Sequence, residues 1–150
     1  MFHTQHENQV KVRIIGKREL LPERLRRLAE KIERETEKYN KHVLNVALAY
    51  GGRQEIVDAI KQIALDVKEG RIKIEDITPE LVSNYLYTDG LPDPDLILRT
   101  SGEERISNFL LYQIAYSELL FLDVYWPDFR KIDLLRAIRI YQQRNRRFGR

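Results

Sequence analysis

The chain has 150 residues, of which 43% are hydrophobic and 33% are charged, a composition that excludes a disordered segment and predicts a globular domain. It contains no cysteine, so disulfides and thiol catalysis are excluded. The formal net charge is +3, but residues 134–150 contain six arginines and no acidic residue. A basic end of this kind fits nucleic acid, phosphates or an anionic membrane surface, and it fits a solvated helix face equally well.

The first half of the chain alternates predicted strands with predicted helices. Residues 10–16 alternate apolar and basic side chains and predict a half-buried strand, and apolar residues at helical spacing predict a helix over about 22–39. The continuous apolar run 43–50 predicts a strand that is buried on both faces. After the pair Gly51-Gly52, a helix with one apolar face is predicted over about 53–69.

The second half begins with Thr78-Pro79-Glu80, where an N-cap residue, a first-turn proline and an acid predict a short helix. After it the sequence predicts a loop over 88–95, a strand over 95–99, a short helix near Ser107, a strand over 119–124 and a last helix over about 130–147. Strands that alternate with such helices predict an α/β fold with a mostly parallel sheet and helices on both faces. No linker divides the chain, so we expect a single domain over residues 1–150, frayed over 1–9.

Three of the predicted strands end beside basic and small residues. The first is followed by Lys17 and Arg18, the second by Arg53, and the third by Arg99 and the segment TSGEERIS, which contains Arg105. Because the carboxyl ends of parallel strands lie at one edge of a sheet, this pattern predicts a site for a phosphorylated ligand. The alternative is that the glycines only turn the chain and the basic side chains are solvated. That alternative is weaker for Arg99 and Arg105, which lie beside apolar segments.

Glu118 is a lone carboxylate in the apolar segment AYSELLF. A carboxylate in such surroundings costs free energy unless a cation or a hydrogen-bond donor accompanies it. Three interpretations stay open: an ion pair with an arginine, an exposed position on an amphipathic face, and a ligand of Mg²⁺. The last is chemically reasonable because Mg²⁺ favours one or two carboxylates together with substrate phosphates.

Three parts of the sequence together resemble a known enzyme family. The run DLILRTSGEERISNFLLYQIAYSELLFLDVYWPDF resembles the signature of the cis-prenyltransferases, the undecaprenyl diphosphate synthase family. The segment LNVALAYGGRQEIVDAIK resembles a second block of that family, and Arg147-Phe148-Gly149 resembles its terminal arginine–any–glycine motif. The resemblance covers most of the chain, from about residue 10.

The resemblance implies a reaction and a substrate site. Members of the family use Mg²⁺ to condense isopentenyl diphosphate onto an allylic diphosphate, with cis double bonds, and so make long-chain polyprenyl diphosphates. By motif position, the resemblance implies that the diphosphate of isopentenyl diphosphate is held by Arg99, Arg105, Ile106 and Ser107.

The resemblance also implies residues that act across a homodimer. Glu118 would help to hold Mg²⁺ in the active site of the neighbouring subunit. Arg147 and Gly149 would lie near the phosphates across the same interface.

The sequence departs from the family pattern at its start. It lacks the family's aspartate–glycine–asparagine–glycine–arginine block, whose aspartate is the main Mg²⁺ ligand and whose glycines and arginine hold the allylic diphosphate. We therefore expect no catalytic residue in this chain, a fold that is incomplete relative to the full family fold, and no prenyl transfer by the chain alone. A smaller departure is Ala49, which stands where bacterial members often have a more polar residue.

The resemblance implies that the partners are isopentenyl diphosphate, an allylic prenyl diphosphate and a second copy of the chain. A lipid product implies transient membrane contact by a protein that is cytoplasmic and peripheral at the membrane. The start of the sequence has no secretory signal, and polar residues interrupt the apolar region 109–126, which excludes a membrane span there.

Two other functions stay open. A non-catalytic partner subunit of a heteromeric prenyltransferase would also lack the aspartate block, although such subunits usually lose the RTSGEERIS segment that is intact here. A basic nucleic-acid-binding domain would use the arginine-rich end, but the sequence contains no recognised nucleic-acid motif, so nucleic acid is not expected as a partner.

Overall fold

The computed structural model describes residues 8–144 and divides the chain into two compact units, Met1–Asp89 and Gly90–Arg150. In the first unit, strand β1 (Val10–Ile15) pairs in parallel with strand β2 (His42–Ala47). Helix α1 (Glu23–Thr36) connects these two strands, as a crossover between parallel strands requires.

Helix α1 covers one face of the β1–β2 pair. Val12, Ile14 and Ala29 form a buried cluster, and the partly buried Ile32 and Val46 pack against it. The side chains of β1 that meet the helix are two residues apart, as a strand requires, and those of α1 follow helical spacing. The alternating pattern of the first strand and the periodic pattern of the first helix therefore point to the same small core.

Side chains of α1 also cap the outer edge of β1. The backbone N–H of Val12 donates to Thr36 Oγ1 at 3.0 Å, and that of Ile14 donates to Glu33 Oε1 at 2.8 Å. These two donors would otherwise be available to another strand. Two backbone donors on the outer edge of β1 are therefore satisfied from within its own unit.

The rest of the first unit is helical. Helix α2 spans Gly52–Lys68 and the short helix α3 spans Pro79–Ser83, with Thr78 Oγ1 accepting from the backbone N–H of Leu81 at 3.2 Å. This cap confirms the helix start predicted at Thr78-Pro79.

The second unit contains strands β3 (Leu96–Arg99) and β4 (Glu118–Phe121) and helix α4 (Lys131–Gln143). The strands pair in parallel, with Leu96 opposite Glu118 and Arg99 opposite Phe121. Within residues 8–144, no helix combines the length and apolar character that a membrane span requires.

The α/β class with parallel strands and helices is confirmed. Three finer predictions are wrong for the described residues. The strands form two separate two-stranded sheets instead of one sheet, because alternation of strands and helices predicts a parallel arrangement but not which strands pair. The first half of β2 is exposed, since this strand lies at the edge of a two-stranded sheet and is not buried on both faces. The expectation of a single domain stays a prediction, and residues 1–7 of the expected frayed start lie outside the described part of the chain.

The third wrong prediction is the short helix near Ser107. Residues 107–116 form successive turns, and positive φ angles at Ser107, Asn108 and Leu110 (46°, 64° and 46°) prevent a regular right-handed helix there. Element ends differ by a few residues elsewhere: α1 ends at Thr36 and not near residue 39, and β2 ends at Ala47 and not at residue 50.

Candidate diphosphate-binding site

A pocket of about 280 Å³ lies at the carboxyl end of β3 in the second unit. Strand residues supply an apolar floor, and the loop that follows β3 supplies most of a polar rim. The pocket is lined by Ile97, Leu98, Arg99, Arg105, Ile106, Ser107, Phe109 and Phe121. The structure therefore brings together all four described residues that the sequence assigned to a diphosphate: Arg99, Arg105, Ile106 and Ser107.

Arg99 organises the rim of this pocket. Its Nη1 donates to Ser107 Oγ at 2.9 Å and to the backbone carbonyl of Arg105. As the last residue of β3, Arg99 has a backbone fixed by the strand, and the loop that carries the other rim residues curls back onto its side chain. The guanidinium, whose side chain is 27% exposed, is consequently held at the pocket in a fixed orientation.

The loop after β3 is also fixed by backbone bonds to the chain beyond β4. The N–H of Ser101 donates to the carbonyl of Val124 at 2.8 Å, and that of Gly102 donates to the carbonyl of Leu122 at 2.9 Å. Gly102 has a φ of +65°, a conformation that glycine adopts without strain. These bonds explain why the segment SGEERIS can hold a defined shape without a helix.

Ser107 and Asn108 adopt left-handed backbone conformations at the mouth of the pocket. Such conformations cost roughly 1–2 kcal/mol for a residue with a side chain and persist where the surroundings impose them. Here the bond from Arg99 to Ser107 Oγ is one such constraint.

Glu103 is an acidic residue that contacts both arginines of the rim. Its Oε2 lies 3.7 Å from Arg99 Nη2 and forms a closer ion pair with Arg105 Nη2. One carboxylate oxygen therefore faces both guanidinium groups. Together, the two arginines and this glutamate carry one net positive charge.

Glu118 lies at the other end of the β3–β4 pair. It is opposite Leu96, three residues from the register position of Arg99, which is roughly 10 Å along the strands. Its Oε2 accepts from Arg144 Nη1 at 2.9 Å, and the same nitrogen donates to the carbonyl of Leu119 at 2.8 Å. The structure thus shows the ion pair with an arginine that the sequence left open, and it does not bring Glu118 to the pocket of its own chain.

The described residues do not form a Mg²⁺ site by themselves. Within residues 8–144, no group of three or more histidine or carboxylate side chains could hold a metal ion. Glu118 offers one carboxylate, and Arg144 already occupies one of its oxygens. Because the described residues hold no such group, most of the oxygens around a Mg²⁺ ion at Glu118 would come from substrate phosphates, water or residues beyond them.

The basic residues at the end of β1 are neutralised within their own unit. Lys17 Nζ lies 3.1 Å from Asp58 Oδ2, and Arg18 Nη2 lies 2.8 Å from Glu33 Oε1. These partners favour a structural role for Lys17 and Arg18, which is the alternative that the sequence left open.

A hydrogen-bonded network next to Lys17 was not predicted from the sequence. Tyr87 OH donates to Asp58 Oδ2 at 2.6 Å, and the Tyr87 N–H donates to Glu55 Oε1 at 2.8 Å. The hydrogen bond from Tyr87 is the main cause that lowers the pKa of Asp58, and burial followed by that same bond raises the pKa of Tyr87. Glu55 is fully buried and also accepts from Tyr50 OH. Its spacing from Ala59, Ile63 and Asp66 on the buried face of α2 was the available sequence signal.

Two predicted site residues, Arg147 and Gly149, lie outside the described residues.

Comparisons with known proteins all identify prenyl diphosphate synthases as similar to this chain. Residues 1–149 match the prenyltransferase family described as undecaprenyl diphosphate synthase. The chain is 63% identical over 145 residues to a tritrans,polycis-undecaprenyl-diphosphate synthase (geranylgeranyl-diphosphate specific) of Pyrococcus furiosus, a match that covers 97% of this chain and 55% of the relative. A protein of the same name from Methanopyrus kandleri is 60% identical, with 97% of this chain and 54% of the relative covered.

A solved structure shows a similar fold. The crystal structure of lavandulyl diphosphate synthase from Lavandula x intermedia, in complex with dimethylallyl diphosphate, is 36% identical, with a TM-score of 0.91. The match covers 94% of this chain and 61% of that protein. The chain thus spans about half the length of the curated relatives that it matches.

Proposed function

Because the chain belongs to the undecaprenyl diphosphate synthase family of prenyltransferases, we propose that it is the part of a cis-prenyltransferase that binds isopentenyl diphosphate. The complete enzyme would condense isopentenyl diphosphate onto an allylic diphosphate and make a long-chain polyprenyl diphosphate, a precursor of a lipid carrier. The names of the archaeal relatives support geranylgeranyl diphosphate as the allylic substrate.

The pocket at the end of β3 is the observation that carries the proposal. Arg99, Arg105 and Ser107 offer charged and hydroxyl donors along one side, which suits the oxygens of a diphosphate. Ile97 and Phe121 offer an apolar surface for a short hydrocarbon chain. The volume of about 280 Å³ is at the small end for ligand pockets, so it suits isopentenyl diphosphate better than a long polyprenyl chain.

The chemical role of these residues is to bind and orient one substrate. The diphosphate is the only strong handle on isopentenyl diphosphate, and fixing it places the alkene in one direction relative to the rim. The pairing of Arg99 with Ser107 and with the Arg105 carbonyl fixes the donor geometry before the substrate arrives. The main contacts of the allylic diphosphate are proposed to come from an aspartate–glycine–asparagine–glycine–arginine block, which the 150-residue sequence does not contain.

The homodimer and the metal ion are part of the same proposal. Glu118 is proposed to contribute one Mg²⁺ ligand, and Mg²⁺ would neutralise charge on a departing diphosphate. Since Glu118 lies at the opposite end of the strand pair from Arg99, its ion would serve a site other than the pocket of its own chain. That arrangement agrees with two copies of the chain that complete each other's sites, with Arg147 and Gly149 proposed to act across the same interface. Transient contact with a membrane would follow from the lipid product.

Substitution of Arg99 tests the proposed function. In the full-length enzyme, Arg99→Gln is expected to weaken isopentenyl diphosphate binding by roughly 10- to 100-fold, because a charge-assisted contact and the support of Ser107 are both lost. Arg136→Gln, which removes an exposed arginine of α4, is the matched control and should change binding less than twofold. Circular dichroism checks that both variants fold. Unchanged binding in a folded Arg99→Gln protein would show that this pocket is not the diphosphate site.

A further inference from the structure

An anionic group lies beside the two arginines that line the pocket. Glu103 faces both Arg99 and Arg105 with one carboxylate oxygen, at 3.7 Å from Arg99 Nη2 and closer to Arg105 Nη2. That oxygen is almost completely buried, although the glutamate side chain as a whole is 37% exposed. An oxygen atom held between two guanidinium groups occupies the kind of position that a diphosphate oxygen would take.

Glu103 belongs to a segment that allows its side chain to leave. Residues 103–106 have no regular secondary structure, and the backbone bonds that fix the loop are made by Ser101 and Gly102, the two residues that precede Glu103. The side chain can therefore rotate toward solvent without breaking those bonds. Arg99 would keep its position, since its Nη1 remains bonded to Ser107 Oγ and to the Arg105 carbonyl.

We infer that Glu103 is an internal competitor for the diphosphate, which holds the two arginines in place when no substrate is bound and is displaced when a diphosphate enters. This inference rests on the proposed function, because it assumes that the pocket binds a diphosphate. Pairing with Glu103 compensates one of the two arginine charges in the empty pocket. An anion with no more charge than a carboxylate gains little by replacing Glu103, whereas a diphosphate offers more charge and more acceptor oxygens. The glutamate thereby raises the selectivity of the pocket for diphosphates at the expense of absolute affinity.

Glu103→Gln tests whether Glu103 weakens or strengthens the binding of a diphosphate. Glutamine keeps the size of the side chain and can still accept one hydrogen bond, but it removes the negative charge. We expect the Kd of the full chain for inorganic pyrophosphate to fall by about three- to tenfold at low ionic strength, since pyrophosphate no longer has to displace a negatively charged side chain from the two arginines. The difference should shrink as salt is added, because both arginines are partly exposed to solvent.

Glu104→Gln is the matched control. It removes the same charge from the adjacent, exposed position of the same loop, so it should change the Kd for pyrophosphate less than twofold. Inorganic phosphate is the second probe. Because its charge is smaller, the wild type should bind it much more weakly than pyrophosphate. In Glu103→Gln the affinity for phosphate should lie closer to the affinity for pyrophosphate.

The outcomes separate this inference from the proposed function. Pyrophosphate binding that depends on Arg99 and is tightened by Glu103→Gln but not by Glu104→Gln supports internal competition. Two outcomes overturn internal competition and leave the site itself intact, provided that binding still depends on Arg99. In the first, Glu103→Gln leaves pyrophosphate binding unchanged or weakens it. In the second, both glutamine variants tighten it equally. Pyrophosphate binding that is the same in wild type and in Arg99→Gln, or absent from both, overturns the site and the inference with it.

Discussion

Substitution of Gly16 by alanine is expected to be among the most destabilising single changes in the first unit. Gly16 follows β1 with a φ of +118°, and a Cβ added there would lie 2.1 Å from the carbonyl oxygen of Leu48. That oxygen belongs to backbone, so the clash cannot be relieved by rotation of a side chain. Relief requires a movement of about 1 Å between the ends of β1 and β2, where the N–H of Leu48 donates to the Ile15 carbonyl at 2.9 Å and that of Lys17 to the Ala49 carbonyl at 3.2 Å.

The expected cost has two parts. The positive φ costs an alanine roughly 1–2 kcal/mol, and weakening the two inter-strand hydrogen bonds costs roughly 0.5–1.5 kcal/mol each. The free energy of unfolding should therefore fall by roughly 2–5 kcal/mol, a large part of the roughly 5–15 kcal/mol that a domain has.

Gly70→Ala is the control, because it measures the cost of a positive φ angle without a steric clash. Gly70 has a φ of +72°, and an added Cβ would have no atom within 4 Å, so its substitution should cost only roughly 1 kcal/mol. The measurement is urea unfolding of the three proteins, followed by circular dichroism. If Gly16→Ala lowers the free energy of unfolding no more than Gly70→Ala does, β1 and β2 do not approach each other as closely at Gly16 as described.

Three further predictions concern the backbone, the tyrosine network and activity. Ala49 has a φ of +48°, so Ala49→Gly should raise the free energy of unfolding by about 0.5–1 kcal/mol in the same urea assay, and a decrease would contradict the strain. Burial and Asp58 raise the pKa of Tyr87, so its contribution to stability is present below its ordinary pKa of 10.0 and is lost as the pH rises above that value. The melting temperature of the wild type should accordingly fall as the pH rises above about 10, and Tyr87→Phe should make that fall shallower; equal slopes would show that Tyr87 is not the titrating group. Finally, we expect the purified 150-residue chain to show no incorporation of labelled isopentenyl diphosphate into lipid, because its sequence contains no aspartate–glycine–asparagine–glycine–arginine block, and detected incorporation would refute this expectation.

The regular elements could be predicted because local patterns determine them. The alternation in residues 10–16 became β1, and the apolar periodicity after Gly52 became α2, within one or two residues of the predicted ends. Strand pairing could not be predicted in the same way, because it depends on contacts between residues that are distant in sequence. The prediction of one sheet was wrong for that reason.

The loop that carries the site illustrates a different limit. The apolar residues after Ser107 favoured a helix, but left-handed conformations at Ser107 and Asn108 depend on tertiary bonds such as that from Arg99 to Ser107 Oγ. The pairing of Glu103 with both arginines could not be predicted for the same reason. The spacing of Arg99 and Glu103 by four residues has a known meaning only in a helix, whereas here a loop brings the two side chains together.

The position of the pocket explains why charged residues stand beside the most apolar part of the sequence. Strand residues such as Ile97 and Phe121 are apolar because strands are stabilised by burial, so the part of a pocket that strands contribute is apolar as well. The loop after β3 has no ladder to satisfy its polar groups, and its side chains and turns do so instead, which makes its part of the pocket polar. A pocket at the junction of the two is amphipathic as a direct consequence of the fold. A ligand with a charged head and a short hydrocarbon tail matches both parts, while inorganic pyrophosphate uses only the rim and a long lipid exceeds the available volume.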